Sequence, residues 1–283
     1  MNKFDNFAAA IDAAQHDLCH NAELVHTEKW QGIDISKKPE AAMHEFRYFG
    51  MEVPMPTEEL GYYREFIEPN LPWADDHFLE RVCGEPLNPG VQWAKWPWGQ
   101  SAAKFRDENS QFNHNYMERY WPRYAGLTDK GELSGTMFDP DPNHRPLDPV
   151  NELGHRGIRY RYGDLNDLLE QLRIEPLTRQ AYMPIFFPED TGVANPDRKP
   201  CTLGYFFMMR NNRLDVTYYI RSCDFVRHFR DDIYMTVRLV IWMLERLREK
   251  DERWNDVKPG LFRMDIGSLH LFRNDYIKLF GQS

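Results

Sequence analysis

Between residues 199 and 233 the Cys201 thiol, the Arg221-Ser222 pair and the Asp224 and Asp232 carboxylates fall in a single run, KPCTLGYFFMMRNNRLDVTYYIRSCDFVRHFRDDI. Cys201 follows a proline and opens an apolar stretch. Arg221-Ser222-Cys223-Asp224 closes the next stretch, and Asp232 comes eight residues after Asp224. A thiolate beside a cation or a helix terminus is a strong nucleophile, and Arg179, Lys199 and Arg221 are candidate neighbours for Cys201. Two guanidinium forks with the Ser222 hydroxyl would clamp a phosphate or carboxylate. Each residue also has a plainer reading. Cys201 can be a core thiol, and the arginines can sit in surface ion pairs. Asp232 and Asp224 can be helix N-caps. Glu59 can sit in a first helical turn, where the dipole favours a carboxylate. His270, between Leu269 and Leu271, can be a satisfied core histidine. Trp93, Trp96 and Trp98 can stack on a planar ligand or fill a core.

These residues need elements to hold them. Helical spacing over residues 3–19 places Phe4, Phe7, Ala8, Ile11 and Leu18 on one face. Residues 45–55 read as extended, and 57–68 as a helix capped by Thr57. Residues 88–105 read as an ordered aromatic loop, and 124–157 contain an irregular stretch that reads as a surface insertion or flap. Residues 164–173 form a short amphipathic helix. Residues 181–187, 202–209 and 214–221 read as strands, with Arg210-Asn211-Asn212-Arg213 as a hairpin turn. Residues 232–249 carry the strongest helical pattern, with Ile233, Val237, Val240, Ile241 and Leu244 on one face. Residues 260–272 read as a final strand pair. Strands in runs with helices between them predict one α+β domain around a mixed sheet, with 1–44 as a helical extension.

The chain has 283 residues, enough for one full core. A net charge of −9 argues against a nucleic-acid surface, which needs a basic stripe. The four cysteines form no C-x-x-C pair and no zinc spacing, so free thiols and no metal are expected. No apolar run approaches a membrane span and the first residues do not read as a signal peptide, which predicts a cytoplasmic protein.

Taken together, these motifs resemble the thymidylate synthase superfamily. Pro200-Cys201, Arg221-Ser222-x-Asp224, Asp232 and His270-Leu271-Phe272 follow the family's order and spacing. Glu175-Pro176-Leu177-Thr178-Arg179-Gln180 looks like its D-P-x-S-R-R, Asn115-Tyr116 its Y-G turn, and Tyr48-Phe49-Gly50 its early F-G strand. Glu59 falls where its catalytic glutamate would be. The match spans 45–123 and 158–276. Within the superfamily, Phe229-Arg230-Asp231-Asp232 and Gly267-Ser268-Leu269-His270 are similar to the deoxycytidylate hydroxymethylase branch of T-even phages.

The resemblance implies a homodimer with shared sites, and Cys201 adding to C6 of a pyrimidine nucleotide. 5,10-Methylenetetrahydrofolate is the implied one-carbon donor, with water completing a 5-hydroxymethyl group through a network that includes Glu59. Arg221 and Ser222 would hold the phosphate, with Arg179 reaching in from the other subunit. Tyr116, His270 and Phe272 would line the nucleotide site, and Asp224 and His228 the folate side. At position 232 a carboxyl suits cytosine: it accepts from the 4-amino group and, protonated, donates to N3. The implied substrate is therefore dCMP. CMP or dUMP, thymidylate synthesis and a non-catalytic nucleotide binder stay as alternatives. The chain departs from the family pattern at Gln180 (second arginine), Phe272 (tyrosine) and His228 (glycine). Only eleven residues follow Phe272, so the family's folate-closing tail is expected to be absent or short.

Overall fold

Asn211 and Asn212 both take left-handed backbone angles, φ 50° and 54°. Asparagine tolerates that conformation, and two such residues make the tight turn whose twist matches paired strands. They join the two strands that carry Cys201's neighbours and the Arg-Ser pair. The protein is seen here as a computed structural model that describes residues 2–30, 33–99, 103–107, 110–112, 114–122, 163–192 and 198–281. The expected insertion at 124–157 lies outside the described residues.

The strands are β1 (Asn2–Lys3), β2 (Glu23–Val25), β3 (Lys29–Trp30), β4 (Ile33–Asp34), β5 (Met43–Pro54), β6 (Tyr182–Pro184), β7 (Thr202–Arg210), β8 (Arg213–Asp224) and β9 (Lys258–Phe272). The helices are α1 (Phe7–His20), α2 (Leu60–Ile67), α3 (Trp73–Arg81), α4 (Tyr116–Tyr120), α5 (Leu165–Ile174), α6 (Arg230–Lys250) and α7 (Arg273–Phe280). One sheet runs β1-β5-β9-β8-β7-β6, with β2 also on β5; β3 and β4 pair separately. The pairs β1/β5 and β8/β9 are parallel and the other pairs of the large sheet antiparallel, so the sheet is mixed and the class α+β, as expected.

Alternation along the strands builds the core. Leu214, Val216, Tyr218 and Ile220 of β8 are buried together with Phe262, Met264 and Ile266 of β9 and Phe49, Met51 and Val53 of β5. α1 packs against β5, and α6 against β8 and β9. On the opposite face Phe206, Met208, Thr217 and Tyr219 stay half-buried, and Leu261, Arg263 and Tyr182 stay exposed.

Four expectations need correction. Residues 260–272 lie in one 15-residue strand, β9, because Gly267 continues the ladder; a Cβ there would lie 2.8 Å from the Arg221 carbonyl oxygen. Residues 1–44 are more than a helical extension: β1 and β2 join the main sheet, and Phe7 packs edge-on against Tyr63 and Phe262. Thr57 does not cap α2. Its hydroxyl accepts from the Glu59 N–H at 3.1 Å, and Glu59 itself holds the cap position. Asp232 does not cap α6, because a π turn over Phe225–Phe229 feeds that helix from further upstream.

Candidate active site

Cys201 sits at the bend before β7, and Arg221 on the neighbouring strand wraps it. The Arg221 N–H donates to the Cys201 carbonyl at 2.9 Å. Its Nε donates to the Pro200 carbonyl at 2.8 Å and Nη2 to that of Lys199 at 2.9 Å, with Nη2 4.0 Å from the Cys201 sulfur. Strand pairing thus brings the thiol and the guanidinium together across twenty residues of chain. Burial pushes the Cys201 pKa up, Arg221 and Arg198 pull against it, and Asp232 and Asp224 push it further up. The resting group is the thiol, and it needs a proton acceptor before it can attack.

Asp232 lies in the first turn of α6. Burial pushes its pKa from the usual 3.8 to about 7, against the opposing pull of Arg81. The Cys223 thiol is 3.9 Å from its Oδ2. Tyr116, at the start of α4, feels both Cys201 and Asp232, and burial with those two charges raises it to about 12. Cys201, Tyr116, Asp232 and His228 are hemmed in by protein, yet each keeps some surface open to solvent. They line a cleft.

Asp224 has a different job. Its Oδ1 accepts from the N–H groups of Val226 and Arg227, both at 3.0 Å, and caps the π turn. Its Oδ2 takes the Arg227 guanidinium at 2.8 Å, and that guanidinium also pairs with Asp275 of α7 at 2.8 Å. Arg227 lies over the Phe272 ring, 5.0 Å from its centre. His270 pairs with Asp224 in the β8/β9 register and sits edge-on to Phe272. Ser222 pairs with Ser268 in the same ladder and is half-buried.

His228 stacks on Trp96, ring centres 4.9 Å apart at 16°, and burial lowers its pKa to about 4, so the ring is neutral. The expected aromatic loop therefore backs His228 with Trp96, which is itself buried against Trp73, Trp93 and Trp98. Trp93 packs instead against Trp73, His77 and Phe112.

Two expected residues stand apart. Arg179 is exposed on the α5–β6 connection, with no ion pair or hydrogen bond among the described residues. Glu59 is exposed, and its neighbour Glu58 pairs with Arg248 through two bonds of 2.7 Å. Arg248 lies 16 residues beyond Asp232 on α6. At about 1.5 Å per residue that is roughly 24 Å along the helix. Glu59 thus lies at the far end of α6 from the thiol and does not join the Cys201 cluster.

Sequence reading missed what fills the floor. On α3, His77, Glu80 and Arg81 are all buried. Glu80 Oε1 accepts from the Gln92 N–H at 2.9 Å, and Oε2 lies 3.1 Å from His77 Nδ1. Gly90 makes room for that carboxylate, which a Cβ would meet at 2.5 Å. Arg81 Nε donates to His77 Nε2 at 3.2 Å, and the guanidinium lies 4.7 Å over the Tyr116 ring. Arg198 also borders Cys201 electrostatically and lies over Phe105. Among the described residues no group of three or more His, Cys, Asp or Glu is placed to hold a metal, and no helix is long and apolar enough to cross a membrane. All four cysteines are unpaired.

No family model matches the chain. Among curated proteins it is similar to the deoxyuridylate hydroxymethyltransferase of Bacillus phage SP01, 25% identical over 210 residues. The match takes in 68% of this chain and 46% of that protein, so the chain spans about half the length of the curated relative.

Proposed function

We propose that this chain is a pyrimidine-nucleotide C5-hydroxymethyltransferase, with dCMP as its substrate and 5,10-methylenetetrahydrofolate as its one-carbon donor. The observation that carries this reading is the shared cleft of the Cys201 thiol and the Asp232 carboxyl, the latter raised to about 7. A nucleophile and a carboxyl able to exist in either protonation state are what C6 addition and cytosine recognition need. The hydroxymethyltransferase relative supports the general reaction.

In this reading Cys201, which keeps some surface open to solvent, passes its proton to water and its sulfur bonds to C6, which makes C5 nucleophilic. Arg221 and Arg198 stabilise the thiolate as it forms. Asp232 holds the N3/C4 edge, and Tyr116 packs beside the reacting carbons. Methylenetetrahydrofolate, when bound, supplies carbon at the oxidation level of formaldehyde. His228, neutral, partly open and backed by the buried Trp96, would be the flat surface that holds a planar ring system. The Asp224 carboxylate, already engaged by the π turn and Arg227, would serve the folate side by fixing that wall. Loss of the C5 proton, addition of water to the transferred carbon and release of Cys201 from C6 end the cycle, so the hydroxyl oxygen comes from water.

The Arg221 Nη1 has no partner among the described residues and, with Ser222, remains the phosphate clamp. His270 and Phe272 form the wall behind it. Arg179 is read as serving the site of a second copy, in a homodimer built on the sheet face that carries Phe206, Met208, Tyr219 and Leu261. Its exposed, unpaired state and the half-buried apolar residues of that face support this reading. A specific observation favours a second substrate reading, dUMP: the relative's name gives deoxyuridylate.

Product mass after incubation with methylenetetrahydrofolate and an equimolar mix of dCMP, CMP and dUMP tests the proposal. Gain of one formaldehyde equivalent on dCMP is the expected result. The same gain on dUMP moves the substrate to the second reading. Gain of a methylene alone would mean methylation, and no product on any nucleotide would overturn the proposal. Light scattering checks the dimer, and activity regained on mixing Arg179→Ala with Cys201→Ser checks the shared site.

A further inference from the structure

Arg81 is a buried cation with an incomplete set of partners. Its side chain is 4% exposed, and its charge is permanent. Nε is occupied by His77, but neither Nη atom has a hydrogen-bond partner among the described residues. The two Nη atoms are not sealed from solvent, so the fork opens on the residue's small exposed surface with its donors free for a ligand.

The fork is also held in place. Glu80 receives the Gln92 N–H on one oxygen and faces His77 Nδ1 with the other. The His77 ring is neutral, its pKa lowered to about 4 by burial. Nδ1–H therefore donates to Glu80, and Nε2 is left to accept from Arg81. Trp73 stacks on the same ring at 4.8 Å and 16°. Three side chains, the Gln92 backbone N–H and one tight glycine thus fix the direction of a guanidinium whose outer nitrogens are unused.

The position of that fork gives it meaning. α3 packs on α6, Arg81 and Asp232 feel each other's charge, and Arg81 sits on Tyr116, which in turn feels Cys201. Yet Arg81 and Asp232 form no direct ion pair. We propose that Arg81 is a second reader of the pyrimidine's C4 edge, acting opposite Asp232, with Glu80 and His77 as its positioning residues. This rests on the nucleotide reading above and deepens it.

The chemistry sets the direction. A guanidinium only donates, so Arg81 favours a keto oxygen at C4 and disfavours an amino group. Asp232 accepts from an amino group or, protonated, donates to N3. The two readers pull in opposite directions, and base choice is their balance.

The test is the ratio of kcat/KM for dCMP to that for dUMP. Arg81→Met should raise this ratio at least about tenfold, by removing donors that only a keto oxygen can use. Arg81→Lys, which keeps the charge and loses the fork, should move it less and serves if the methionine variant does not fold. His77→Phe keeps the stack on Trp73 and loses the acceptor, and should move the ratio the same way by about threefold. A purely structural role would lower both substrates together and leave the ratio within twofold, and that result overturns the proposal. The same ratio is measured for Kd by calorimetry without folate. A shifted Kd ratio without turnover supports the second reader and removes hydroxymethyl transfer. A protein that binds neither nucleotide overturns both.

Discussion

The two Asp–Arg neighbourhoods flanking the start of α6 differ in one respect. Around Asp224 every charge is spent: one oxygen caps the π turn, the other takes Arg227, and Arg227 spans on to Asp275. Around Asp232 the charges are close but unmarried. Asp232 has only a thiol within hydrogen-bonding reach, and Arg81 keeps two free nitrogens. A closed circuit of charges holds elements together, here β8, the π turn and α7. An open circuit inside a cleft is kept at a cost in stability and is repaid when a ligand completes it. The residue types are the same, and the bonding tells the roles apart.

The comparison can be broken at its strongest point first. Cys201→Ser should lower turnover by at least about a thousandfold while nucleotide binding persists, because the open site loses only its nucleophile. Single-turnover kinetics with a binding titration checks this, and retained turnover would sink the covalent route.

Asp232→Asn tests the cost of the open circuit. With a folded pKa of about 7 against the usual 3.8, Asp232 stays protonated in the fold while the unfolded chain ionises. Wild-type stability from this group is therefore full below pH 4 and is lost as pH rises through 7, by at most about 4 kcal/mol and by less with the cleft open to water. The variant should equal wild type near pH 4 and exceed it at pH 8 in urea melts. It should also move base preference toward dUMP, and a flat pH difference would refute the buried acid.

Arg227→Met opens the closed circuit. It should cost about 2 kcal/mol of stability, since Asp224 and Asp275 both lose their cation, with base preference unchanged. A changed preference would blur the distinction between the two neighbourhoods. The smallest effect belongs to Glu59→Gln, at the far end of α6, which should leave kcat within twofold in steady-state assays. A larger loss would return Glu59 to the chemistry.

Much of this was legible where local signals are strong. The hairpin followed from two asparagines between apolar runs, and α6 from its unbroken apolar face. Arg221 was one of three candidate neighbours of Cys201, and the pairing of their strands is what selects it. What escaped was the floor of the cleft. His77, Glu80 and Arg81 occupy adjacent positions on one helix stripe, and such a stripe of ionisable residues ordinarily reads as a solvated face. Only the packing of α3 on α6, a contact between residues far apart in sequence, turns it inward. Asp224 and Asp232 looked alike as caps because the upstream π turn leaves no trace in composition. β9 looked divided, and Gly267 is what keeps it whole, because its missing side chain lets β8 approach.

The π turn before α6 also acts as a phase setting. Each residue of an ordinary helix advances the side chain by about 100°. Phe225–Phe229 adds its wider turn ahead of Arg230, and so fixes which way every later residue of α6 points. Removing one residue from that turn would rotate Asp232 out of the cleft and bring a neighbour round in its place, with no substitution at any residue of the site. On the proposed reading, the identity of the group presented to the pyrimidine is thus set by a count of residues upstream, and an insertion or deletion there would retune selectivity as surely as a substitution.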